Sequence, residues 1–147
     1  MPIFKWNDYI IEGDSMKDII FIVDDNIPIL VKAEEILEKH YLTVTLSSAE
    51  KMLTVLKTVT PSLILLDIDM PGMDGLEAVK ILKANVEYKK IPVLFLAGFT
   101  DADTEAYSIE LGALDFIRKP FSEPILLNRI RNYLHYSELM RCNHTSI

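Results

Sequence analysis

Asp24 and Asp25 directly follow the apolar run Ile19-Ile20-Phe21-Ile22-Val23, Asp67 ends a later apolar run, and Asp69 lies two residues beyond it. Lys119 comes just after the short run Phe116-Ile117 and just before Pro120. Taken singly, an acid after an apolar run is a loop or helix-cap residue. As a set, Asp24, Asp25, Asp67 and Lys119 point to a site, because the carboxyl ends of strands in an open α/β sheet are where such folds bind ligands. Carboxylates gathered at one edge repel one another. A bound divalent cation resolves the conflict, and an all-oxygen donor set favours Mg²⁺. No other metal spacing competes: His40, His135 and His144 are scattered, and the single cysteine, Cys142, excludes both an intrachain disulfide and a cysteine cluster.

The elements that must position these residues are legible from hydrophobic period. The runs 19–23, 62–66 and 93–97 are apolar apart from Ser62 at the start of the second, as strands buried on both faces are. Thr43-Val44-Thr45-Leu46 alternates and suits an edge strand, and Phe116-Ile117 marks a fifth. Between them lie helical periods: Ile29, Ala33, Ile36 and Leu37; Ala49, Met52, Leu53 and Leu56; Ala78, Ile81 and Leu82; Ala102, Ala106 and Ile109; Leu126, Ile130, Tyr133 and Leu134. Ser122 is placed to cap the last helix. Gly72 and Gly75 read as turn residues that start the third. Strands alternating with helices imply an α/β fold, (βα)5, with a parallel sheet covered on both faces.

The chain is 147 residues with 50% hydrophobic residues, enough for one packed core. A net charge of −7 argues against a sequence-independent grip on nucleic acid or an anionic membrane. Residues 1–17 lack the basic start and apolar middle of a signal peptide, and cytoplasmic localisation is the expectation. The expected organisation is an N-terminal appendage over 1–17, with Met16 as an alternative start, one domain over 18–138, and a tail or start of a linker over 139–147. The roughly ten residues after the fifth helix are too few for an output domain, so the chain reads as a stand-alone unit or a piece of a longer regulator.

Val23-Asp24-Asp25, the segment LLDIDMPGMDG (65–75), the segment ELGALDFIRKPF (110–121) and the spacing between them resemble the receiver domain of two-component response regulators. The resemblance covers residues 18 to 137 and implies a flavodoxin-like, doubly wound sheet of order 2-1-3-4-5. It implies that Asp67 is the phosphoacceptor, that Asp25 and Asp67 ligate Mg²⁺ directly, that Asp24 helps through water, and that Asp69 offers its backbone carbonyl. Lys119 would bind the phosphoryl oxygens, Pro120 would follow a cis bond that aims Lys119, and Phe116 would occupy the switch-aromatic position. The chemistry agrees, since phosphoryl transfer needs an in-line nucleophile and positioned positive charge more than covalent help. The implied partners are a sensor histidine kinase or phosphotransfer protein. A homodimer through the helix 4–strand 5–helix 5 face is an option, its charges being Asp101, Asp103, Glu105, Glu110, Arg118, Arg129 and Arg131. No direct contact with nucleic acid or membrane is expected, and no enzymatic activity beyond the domain's own phosphorylation and dephosphorylation.

One position departs from the family pattern. Ala97 stands where the fourth strand normally ends in Thr or Ser, and Gly98 follows. The hydrogen bond from that hydroxyl to a phosphoryl oxygen, about 1.5–3 kcal/mol for a charged acceptor, is lost. Either phosphorylation at Asp67 still occurs with signal output uncoupled or wired differently, or Thr100, three residues on, substitutes. Two other readings stand beside the receiver. Asp67-Ile68-Asp69 is similar to the Asp-x-Asp of haloacid-dehalogenase-type phosphatases, although the chain has no room for a cap. The other is a phosphorylation-independent docking module with a receiver fold, for which Ala97 is the support.

Overall fold

The computed structural model describes residues 18–98 and 100–145, with side chains to residue 139. The expected appendage over 1–17, Met16 included, and the side chains of Cys142 and His144 lie outside the described residues. Five parallel strands, β1 (Ile19–Val23), β2 (Leu42–Leu46), β3 (Leu63–Asp67), β4 (Val93–Ala97) and β5 (Asp115–Arg118), form one sheet of order β2-β1-β3-β4-β5. Five helices alternate with them: α1 (Ile27–Leu37), α2 (Ala49–Val55), α3 (Gly75–Lys83), α4 (Ala102–Leu111) and α5 (Glu123–Thr145). This is the flavodoxin-like, doubly wound arrangement.

Side-chain alternation along the strands divides the core in two. Ile20 and Ile22 of β1, with Leu63, Leu65, Leu94 and Leu96, face α1 and α5 through Leu30, Ala33, Ile36, Leu126 and Ile130. Phe21 and Val23, with Ile64, Leu66, Val93 and Phe95, face α2 and α3 through Ala49, Met52, Ala78, Val79 and Leu82. The three central strands are therefore apolar at successive positions, whereas β2 lies outermost and is largely open to solvent. Caps set where the helices begin: Asn26 Oδ1 accepts the Ile29 N–H, Ser48 Oγ accepts that of Lys51, Asp101 Oδ1 accepts that of Thr104, and Ser122 Oγ accepts that of Ile125. No helix among the described residues is long and apolar enough to cross a membrane.

Several boundaries differ from the sequence reading. β3 starts at Leu63 and extends through Asp67, because Asp67 pairs with Leu96 and continues the ladder. Ser62 stays outside it, its hydroxyl donating to Asp18. β5 is longer than Phe116-Ile117, since Asp115 and Arg118 pair with Leu94 and Ala97. In α3, Ile81 points to solvent while Ala78 and Leu82 are buried. In α4 the expected stripe of Ala102, Ala106 and Ile109 is exposed. The buried position is Ser108, whose hydroxyl is satisfied by the Thr104 carbonyl and so tolerates the interior. α5 runs unbroken past residue 138, with no glycine or proline after Pro124 to end it.

Candidate phosphoacceptor site

The site lies where strand order reverses, at the carboxyl ends of β1 and β3 with β4 and β5 alongside. Asp24 is fully buried there. Its N–H donates to the Leu46 carbonyl at 3.0 Å, and its Oδ1 accepts the Asn26 N–H at 2.9 Å. Asp25, next along, is exposed, and Asp67 at the end of β3 is buried. One carboxylate oxygen from each of Asp24, Asp25 and Asp67 lies within 4.8 Å of the others, the single such cluster of possible metal ligands among the described residues. Neither His40 nor His135 joins it.

Lys119 lies between the two buried acids. Its Nζ is 2.6 Å from Asp24 Oδ2 and 3.1 Å from Asp67 Oδ1. The Lys119 N–H donates to the Ala97 carbonyl at 2.8 Å, which ties the base of the lysine to the end of β4; the Lys119–Pro120 bond is cis. Phe121, next in the chain, is buried, and its carbonyl accepts a hydrogen bond from Lys32 Nζ of α1 at 2.7 Å. The loop after β5 is thus anchored on both sides of the lysine.

Two buried acids facing one ammonium leave negative charge in excess. Burial, and then the charge of Asp24, push the Asp67 carboxyl up to about 6, against the opposing pull of Lys119 and of the Asp69 N–H, which donates to Asp67 Oδ1. Burial disfavours the Lys119 ammonium, but the hydrogen bonds and charges of Asp24 and Asp67 outweigh it and hold the lysine above its usual range. A pocket lined by carboxylate oxygens, with no sulfur or nitrogen ligand and more negative charge than the lysine balances, fits a hard divalent cation.

The remaining sequence candidates fall around this centre. Asp69 is exposed at the start of the β3–α3 loop, with its N–H toward Asp67. Ala97 is buried at the end of β4, opposite Arg118 in register, and Gly98 beside it has open space where a side chain would project. Phe116 is half-buried, its ring 5.7 Å from that of Phe95. Thr100 does not turn toward the acids. Its hydroxyl donates to Glu105 at 2.7 Å, and Glu105 also pairs with Arg118. Arg129 is likewise engaged within the chain, on Asp115 and the Phe116 carbonyl.

The β3–α3 loop contains contacts that sequence reasoning missed. The Glu50 carboxylate, from the first turn of α2, accepts the Met73 N–H at 3.2 Å from a position 23 residues upstream. Nothing local to Glu50 marks it, since an acid in a helix's first turn is ordinary dipole complementarity. The Asp74–Glu77 capping box was readable as Asp-x-x-Glu before an apolar period.

The sequence profile of the "Response regulator receiver domain" matches residues 20–131. The Vibrio cholerae protein named "Probable cyclic di-GMP phosphodiesterase" is 36% identical over 124 residues, which cover 82% of this chain and 28% of that protein. The "DNA-binding response regulator MtrA" of Mycolicibacterium smegmatis is 31% identical over 127 residues, covering 85% of this chain and 54% of that one. The chain thus spans little more than half the length of these relatives, or less. Among solved structures, NtrX from Brucella abortus in complex with ADP superposes with a TM-score of 0.78 at 31% identity, over 84% of this chain and 28% of that one. The order of five parallel strands, the acids at the ends of β1 and β3 and this profile match agree, and the chain belongs to the response regulator receiver domain family of two-component signalling.

Proposed function

We propose that Asp67 accepts a phosphoryl group from a sensor histidine kinase or phosphotransfer protein, and that Asp24, Asp25 and Asp67, with the Asp69 backbone carbonyl, hold the Mg²⁺ that receiver domains use. The observation that carries this reading is Lys119 Nζ lying within 3.1 Å of Asp67 and 2.6 Å of Asp24, beside a third carboxylate. A cation held by these residues would offer positive charge to the phosphoryl oxygens and offset the negative charge of the aspartates. An Asp67 carboxylate oxygen attacks phosphorus, the bond from phosphorus to the donor atom breaks, and the donor leaves with its electron pair. Lys119 exchanges its contact with Asp67 for one with the transferred group. Burial of Asp24 and Asp67 limits competing water and strengthens each charge interaction. Turnover is confined to the domain's own phosphorylation and dephosphorylation.

Ala97 cannot donate to the phosphoryl group, and Thr100 is engaged by Glu105. The β4–α4 loop therefore receives a weaker pull on phosphorylation than a Thr or Ser would provide. That absence favours one second reading, a docking module whose partner affinity ignores phosphorylation. Phe116 is proposed as the aromatic that reports on the loop, and the α4–β5–α5 face as a homodimer surface. The proposed site of action is the cytoplasm.

Incubation with acetyl phosphate and Mg²⁺, followed by intact-mass analysis, tests the reading. One added phosphoryl group is expected, absent without Mg²⁺. No addition, together with no binding of a beryllofluoride mimic, would favour the docking module.

A further inference from the structure

The loop between Asp67 and α3 is held at several points, one of them by a residue outside the acidic site. At its start, the Asp69 N–H is directed at Asp67 Oδ1, and Met70 is buried in the core. At its end, Asp74 caps α3 with Glu77. Between them the chain turns at Gly72, with φ of +75°, a conformation that favours glycine. A Cβ there would stand 3.0 Å from the Glu50 carboxylate, which accepts the Met73 N–H. Glu50 thus lies where a side chain at position 72 would project, and it ties α2 to the loop.

We infer that Glu50 is a positioning residue for the cation site: by holding the Met73 N–H it fixes the loop that presents Asp69 beside Asp67. The inference rests on the proposed function, since Asp69 matters only if a cation binds there. Partners behind a metal's ligands set their orientation, and losing them commonly weakens binding at least tenfold. The contact needs an acceptor oxygen of the right reach, and it does not need a charge. Gln supplies that oxygen without the charge, whereas Ala supplies neither.

The test is calorimetric titration of the full chain with Mg²⁺, for wild type, Glu50→Ala and Glu50→Gln, alongside hydrogen exchange of the Met73 amide before Mg²⁺ is added. Glu50→Ala is expected to bind Mg²⁺ about tenfold more weakly and Glu50→Gln within about twofold of wild type. Met73 exchange is expected to accelerate in the alanine variant alone. Equal weakening in both variants would overturn the inference in favour of simple charge attraction. Faster Met73 exchange with unchanged Mg²⁺ affinity would overturn it too, leaving Glu50 a local strut. Failure of wild type to bind Mg²⁺ would remove the site reading and this inference together. Failure of Glu50→Ala alone to weaken binding would remove only the inference.

Discussion

Asp67 carries two demands that pull in opposite directions. As the proposed nucleophile and cation ligand it must be ionised, yet burial and Asp24 push its carboxyl up to about 6. Mg²⁺ therefore competes with a proton, and its affinity is expected to fall as pH drops through about 6. Calorimetric titrations at several pH values check this, and an affinity flat from pH 5 to 7 would contradict it. At Ala97 the missing group is a hydroxyl. Ala97→Thr is expected to increase the ratio of switched to unswitched conformer in the phosphorylated protein by about tenfold or more, from a bond of roughly 1.5–3 kcal/mol to a charged acceptor. Amide exchange in the β4–α4 loop, with and without beryllofluoride, reads this ratio. An unchanged response would mean that the hydroxyl is not what the loop lacks.

Between β3 and α3 the packing leaves no room for a side chain. A Cβ on Gly75 would stand 2.5 Å from the Asp67 carbonyl, 2.8 Å from the Ile68 Cα and 2.9 Å from the Phe95 ring. Two of those neighbours are backbone, so Gly75→Ala is expected to cost about 1–3 kcal/mol in urea unfolding and to slow phosphorylation by displacing Asp67. The sequence revealed Gly75 only as a turn residue. Its closeness to Asp67 is a tertiary fact, like the contact of Glu50 with Met73. What could be read locally was the pattern of burial. The runs in β1, β3 and β4 are apolar on both faces because the sheet is covered on both sides, and the acids that end β1 and β3 were visible for the same reason. In α4 the period misled, because small alanines tolerate solvent and Ser108 satisfies its own hydroxyl on Thr104. The outward turn of Thr100 likewise depends on Glu105, five residues along and already paired with Arg118.

At the scale of the molecule, the acidic site opposes stability unless something neutralises it. Asp67 has a folded-state pKa above the ordinary aspartate value, so its contribution to stability is full at low pH and is lost as pH rises through about 6. Thermal unfolding without added metal is expected to show that loss between about pH 4 and 6. Mg²⁺ should raise the midpoint more at pH 7 than at pH 5, adding about 2.7 kcal/mol at a hundred times its Kd. Equal Mg²⁺ shifts at both pH values would detach the cation from Asp67. The receiver family accounts for the sheet and for the role of a phosphorylation-dependent switch, and within it Asp67 is the proposed carrier of the phosphoryl group. The most direct test of that role is borohydride reduction of the acetyl phosphate-treated protein, which converts an aspartyl phosphate to homoserine, followed by peptide mass mapping. Homoserine at position 67 in wild type, and no homoserine anywhere in Asp67→Ala, is the predicted result. Homoserine at Asp24, Asp25 or Asp69 instead, or an undiminished yield in Asp67→Ala, would contradict the assignment.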